Sequence, residues 1–92
     1  MAKTIKKKWS LYILRCDDRT LYTGITVDLL RRLEQHRNGT ASKYTRSRLP
    51  VRMVHHETCR GKSDALKKEQ AIKKLSRADK EVYIRKPWTI KR

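Results

Sequence analysis

Acidic residues are scarce in this sequence. Nine Asp and Glu stand against 25 Lys and Arg, which leaves a formal net charge of +16 and a pI near 10.5. That excess goes far beyond the needs of solubility and points to a polyanionic partner, nucleic acid first and an anionic membrane surface second. Cut at Cys59, both parts of the chain carry a net charge of +8, so the charge is not an appended tail. Cysteine is just as sparse: Cys16 and Cys59 are too few to staple a secreted fold, and both are expected as reduced thiols. No apolar run approaches the ~18 residues of a membrane span, and the basic start MAKTIKKKW has no apolar segment behind it. The expectation is a cytoplasmic protein with no membrane segment. Internal repeats are missing, and Lys6-Lys7-Lys8 is the one short biased cluster. A hydrophobic fraction of 37% is low, yet it allows one modest core and hence a single α+β unit. The expected organisation is a basic N-terminal arm over 1–8, one domain over 9–86 and a C-terminal tail over 87–92.

Leu21 to His36, LYTGITVDLLRRLEQH, is the stretch around which the rest is organised. It predicts a short strand carrying Tyr22 into a turn at Gly24, then a helix capped by Thr26 or Asp28 and closed by Asn38-Gly39. On a helical wheel Leu29, Leu30 and Leu33 form the apolar stripe, with Arg32 and His36 on its border and Arg31 pointing away. A guanidinium, an imidazole and the Tyr22 phenol thus converge, a set that suits a phosphate. Upstream, Trp9 to Arg15 predicts a strand covered on both faces. Asp17, Asp18 and Arg19 supply a hairpin turn, and a turn centred near Asp17 sets Tyr12 directly opposite Tyr22.

No acidic residue occurs between Gln35 and His56, whereas Arg37, Lys43, Arg46, Arg48 and Arg52 all lie there with Tyr44 interleaved. Such a basic stretch can follow a phosphate backbone. Val51 to Thr58, rich in β-branched and apolar residues, predicts a third strand. A zinc site from His55, His56, Cys59 and Cys16 is disfavoured, because no C-x-x-C or H-x-x-x-H pair anchors it and neighbouring strand residues face opposite ways. Ser63 is expected to cap a helix over 64–75 with the apolar stripe Ala65, Leu66, Ile72 and Leu75. Glu69 falls inside that stripe, where a carboxylate needs a partner or a metal; the plain alternative is a rim pair with Lys73. Ser76 and Asp79 resemble a capping box that opens a last short helix ended by Pro87, beyond which Trp88 and Ile90 are expected to return to the core.

Taken in order, SLY at Ser10 to Tyr12, YTG at Tyr22 to Gly24, Arg-x-x-x-His at Arg32 and His36, and Glu69 on a later helix resemble the GIY-YIG nuclease domain, particularly its small stand-alone branch. The resemblance runs from Trp9 to Leu75. It implies a three-stranded antiparallel sheet flanked by helices, and metal-dependent hydrolysis of phosphodiester bonds in nucleic acid, DNA first, with DNA repair as the setting. By this resemblance Tyr12, Tyr22, Arg32, His36 and Glu69 form the catalytic set. Glu69 would hold one Mg²⁺ or Mn²⁺, Arg32 would neutralise phosphoryl charge, and His36 would position water or orient Tyr12. A tyrosine would handle the proton of water. A free phenol titrates near pH ~10, so that role needs a cationic neighbourhood, and whether Tyr12 or Tyr22 fills it is open. Ser10 and Thr23 stand where the family name has glycine and isoleucine, and no Asn follows Asn38, although many members of that family carry a downstream Asn in the site. No small-molecule cofactor is expected.

Two other functions fit size and charge. A non-catalytic nucleic-acid binder matches both, but leaves a carboxylate in an apolar stripe unexplained. A basic protein docking on an acidic partner or membrane would need an amphipathic helix with large exposed apolar residues, which neither later helix clearly offers.

Overall fold

Leu11, Tyr12, Ile13 and Leu14 are each no more than 1% exposed, and the strand they belong to, β1 (Ser10–Arg15), is the middle of the sheet. In the computed structural model, which describes residues 8–85, β1 is flanked by β2 (Leu21–Thr26) and β3 (Arg52–Thr58) in the order β2-β1-β3, all antiparallel. The α+β architecture with a three-stranded antiparallel sheet is therefore as expected. Because alternate residues face opposite ways, β1 serves two cores. Leu11 and Ile13 pack with Cys59, Ala65 and Ile72, while Tyr12 and Leu14 pack with Cys16 and Val51. Both thiols are free and buried.

The hairpin departs from the expected register. Tyr12 pairs with Gly24, and Leu14 pairs with Tyr22. The turn is centred on Asp18, whose carboxylate accepts from the Thr20 amide and hydroxyl while Arg19 takes a left-handed φ of 70°. Moving the centre by one residue shifts the pairing by two, so the tyrosines stay on one face as diagonal neighbours. What stands opposite Tyr12 is a residue with no side chain.

Helix α1 (Leu29–Arg37) is capped by Asp28, which accepts from the Arg31 amide, while the Thr26 hydroxyl accepts from the Asp28 amide. Leu30 corrects the wheel: it is 82% exposed. The inward line is half-buried Leu29 and Leu33 with buried His36, spaced four and three residues apart, and Leu30 lies about a quarter-turn off it. The basic stretch holds a one-turn helix, α2 (Lys43–Arg46), started by Ser42. Helix α3 spans Lys62–Lys73, two residues earlier than expected, and Gly61 rather than Ser63 is its N-cap. Asp64 instead reaches back to accept from the Arg60 amide. Ala65 and Ile72 are buried, whereas Leu66 is 40% exposed. Helix α4 (Arg77–Arg85) starts as expected, with the Ser76 hydroxyl accepting from the Asp79 amide. Arg15 ties it to the sheet through a two-pronged bond to Glu81, at 2.8 and 3.0 Å. Among the described residues no helix is long and apolar enough to cross a membrane. The basic arm up to Lys7, Pro87 with the helix end assigned to it, and Trp88 and Ile90 lie outside the described residues.

Candidate active site

The site begins with the pairing of Tyr12 and Gly24. A methyl group at Gly24 would stand 2.5 Å from the Tyr12 hydroxyl oxygen and 2.7 Å from Cζ, so only glycine lets the phenol lie across the neighbouring strand. Across the face, the Tyr12 hydroxyl meets His36 Nε2 at 2.8 Å, and the other ring nitrogen, Nδ1, meets Thr45 Oγ1 at 2.8 Å. The Thr45 hydroxyl continues to Ser42 Oγ at 2.9 Å. Tyr22 closes the group, its ring 6.4 Å from Tyr12 and 5.1 Å from His36, with Tyr44 stacked on its outer side at 5.9 Å.

Arg32 stands at the border of this cluster, its Nε donating to Gln35 Oε1 at 3.0 Å. Burial, and next the neighbouring Tyr22, push the Tyr12 phenol up to about 12, while Arg32 acts against them. The negative charge of Glu69 on α3 is also felt at Tyr12 and raises it further. His36 is completely buried, and burial together with the Arg32 charge holds it down at about 4, so it is a neutral imidazole near pH 7. The raised phenol and the lowered imidazole both keep the proton on Tyr12. His36 therefore acts as a hydrogen-bond partner and not as a proton store.

Of the five residues expected in the site, Tyr12, Tyr22, Arg32 and His36 are brought together, and Glu69 lies within electrostatic reach of Tyr12. Glu69 also has the rim partner weighed for it: Lys73 Nζ is 3.2 Å from Oε2. Among the described residues no three or more His, Cys, Asp or Glu gather as a metal centre. His55 and His56 separate as strand neighbours must: His55 packs on the Tyr83 ring, 5.1 Å away, and His56 is exposed. Thr45, Ser42 and Gln35 went unforeseen as site residues. Ser42-x-x-Thr45 has the spacing of a helix cap, which was the available signal.

Arg37, Lys43, Arg46 and Arg52 are exposed, and Tyr44 is at the limit of exposure at 36%. Arg48 is different. Its Nε donates to Asp18 at 3.0 Å, its Nη1 donates to the Tyr44 carbonyl at 2.9 Å, and its guanidinium lies 3.9 Å from the centre of the Tyr44 ring. Arg48 thus pins α2 to the hairpin turn. Arg52 lies at the far end of β1, where it lines a concavity of about 350 Å³ with Arg15 and Arg19.

The family model described as the GIY-YIG catalytic domain matches residues 8–82. The chain belongs to the GIY-YIG family. Relatives of this GIY-YIG domain carry the name UPF0213. One from Desulfotalea psychrophila is 45% identical over 84 residues, covering 90% of this chain and 76% of its own. Another, from Syntrophus aciditrophicus, is 52% identical over 71 residues, covering 76% and 82%. Two solution NMR structures share the fold. A protein from E. faecalis is 44% identical with a TM-score of 0.61, covering 86% of this chain and 84% of its own. The UPF0213 protein BH0048 from Bacillus halodurans is 40% identical with a TM-score of 0.56, covering 84% and 82%.

Proposed function

We propose that this GIY-YIG domain is an endonuclease that hydrolyses phosphodiester bonds in nucleic acid, DNA first, with the help of a divalent metal ion. One observation carries the proposal: the positive charge of Arg32 and the negative charge of Glu69 both act on Tyr12, a buried hydroxyl whose other side is closed by His36. A protein that only bound nucleic acid would gain from the arginine and lose from the carboxylate.

Glu69 fits a hard cation. Mg²⁺ is commonly held by one or two carboxylates, with water and substrate phosphate filling the other positions. One Glu69 oxygen faces Lys73, which would have to yield. When bound, the ion would polarise the phosphate and stabilise the leaving oxygen. Arg32 binds the phosphoryl oxygens, its fixed guanidinium offsetting charge that grows in the transition state. Tyr12 holds its proton toward His36 and presents oxygen lone pairs to Arg32 and the incoming group. Tyr22, half-buried beside the same imidazole, orients the attacking water, whose proton leaves to bulk solvent. Exposed Arg37, Lys43, Arg46 and Arg52 would follow the phosphate backbone on either side.

The Lys73 pair is also the observation that favours the second reading, a non-catalytic binder in which Glu69 is a surface ion-pair partner. A nicking assay on plasmid and branched DNA, with Mg²⁺ and with chelator, separates the two. Metal-dependent nicking supports the enzyme. Tight, salt-sensitive binding without nicking supports the binder.

A further inference from the structure

His36 is buried completely, with a hydroxyl 2.8 Å from each ring nitrogen. A neutral imidazole has one N–H and one lone pair, so one hydroxyl must donate to the ring and the other must accept from it. Thr45 satisfies either arrangement, because Ser42 Oγ at 2.9 Å is able to give or take a proton. Tyr12 does not. Its other hydrogen-bonding neighbour is Arg32, a donor only, which favours the oxygen as acceptor, whereas Tyr22 and Glu69 act on it through charge alone. If His36 Nε2 also donated to that oxygen, the phenol proton would have no acceptor among the described residues. Tyr12 must therefore donate to Nε2, which leaves Nδ1 carrying the proton and donating to Thr45 Oγ1. Thr45 passes its own proton on to Ser42, whose hydroxyl is 2.9 Å away and whose carbonyl is 3.5 Å away. Ser42 Oγ is in turn fixed by the Thr45 amide at 3.1 Å.

We infer that Thr45, anchored by Ser42, is a positioning residue that gives the Nδ1–H tautomer of His36 the acceptor it needs, so that Tyr12 turns its proton inward and its oxygen lone pairs toward Arg32 and the attacking water. This rests on the nuclease reading for its consequence, but the tautomer itself does not. Arg32 and Tyr12 select which nitrogen is protonated, and the loop after α1, through the cap that starts α2, supplies the acceptor without which that N–H would be buried unpaired. Where a histidine itself moves the proton, a wrong tautomer costs up to ~10⁴ in rate. His36 acts one hydrogen bond away from the reacting atoms, so a loss of roughly 10- to 100-fold is expected.

The test pairs NMR with kinetics on the full chain and on Thr45→Ser and Thr45→Val. Long-range ¹H–¹⁵N correlations of the ring report the tautomer whether or not the protein cleaves anything. The inference expects Nδ1–H in the wild type and in Thr45→Ser, with cleavage by Thr45→Ser within about threefold of wild type. Thr45→Val should lose the single tautomer and lower kcat with KM unchanged. Nε2–H in the wild type overturns the inference, as does a folded Thr45→Val that keeps Nδ1–H. Absence of cleavage by a wild type that shows Nδ1–H contradicts the nuclease reading and leaves the tautomer assignment standing. If Thr45→Val does not fold, the wild-type tautomer alone decides.

Discussion

Gly24→Ala is the substitution for which the fold makes its sharpest demand. The added methyl would stand 2.5 Å from the Tyr12 hydroxyl oxygen and 2.7 Å from Cζ. Tyr12 has little room to retreat: it is 1% exposed, bonded to His36 at 2.8 Å and packed against Tyr22. Forcing extra volume into such a site costs ~1–3 kcal/mol, and breaking the bond to His36 adds about 1 kcal/mol. At ~4–8 °C per kcal/mol for a chain of this size, Tm should fall by roughly 8–32 °C. The control is Gly61→Ala. Nothing lies within 4 Å of a methyl there and the backbone is extended, so only the weaker capping by alanine counts, about 0.5–1 kcal/mol. Circular dichroism melts of the three proteins decide the matter. Adding Tyr12→Phe to Gly24→Ala should restore only part of the loss, because the contact with Cζ remains. A Gly24→Ala protein that melts with the wild type would refute the argument that this glycine makes room for the phenol.

Other outcomes follow from the site. Stability should fall on acidification between pH 6.5 and about 4, because His36 binds its proton in the unfolded chain before it does in the folded one; at full effect this is about 3 kcal/mol, and urea titrations should show the window shrinking in Tyr12→Phe if the cluster excludes water as a unit. Arg32→Ala should lower cleavage by about 10²- to 10³-fold while Arg31→Ala, on the exposed side of α1, changes it far less; equal losses in kinetic assays would mean that both guanidiniums meet the phosphate. Affinity for DNA should drop steeply with salt, and Arg46→Ala should weaken it without lowering Tm. Arg48→Ala, by contrast, should lower Tm as well, since its guanidinium holds α2 to the hairpin turn.

How far the sequence could be read depends on which contacts are local. The strands, the start of α1 and the Ser76 cap follow from patterns within a few residues, and the structure has them. Register is less local: the choice between Asp17 and Asp18 as turn centre decided whether Tyr12 met Tyr22 or Gly24, and hydropathy is the same either way. The wheel counted Leu30 as buried because it grouped leucines by type. A histidine took that place in the core since two hydroxyls from distant parts of the chain satisfy it. Thr45 and Ser42 were invisible as site residues for the same reason, Thr45 lying nine residues beyond His36 and Ser42 reaching it only through Thr45. Arg48 read as one more basic side chain in a basic stretch, and only the fold shows Asp18 waiting for it thirty residues upstream.

The most direct test of the central claim is cleavage of supercoiled plasmid by wild type and Glu69→Ala, each with Mg²⁺ and with chelator, alongside binding and melting of the same samples. The Lys73 pair is partly exposed, so its loss should move stability by no more than ~1 kcal/mol. The account predicts nicking by the wild type only when the metal is present, and a folded Glu69→Ala protein that binds DNA as well or slightly better and does not nick it. A Glu69→Ala protein that nicks at the wild-type rate would contradict it.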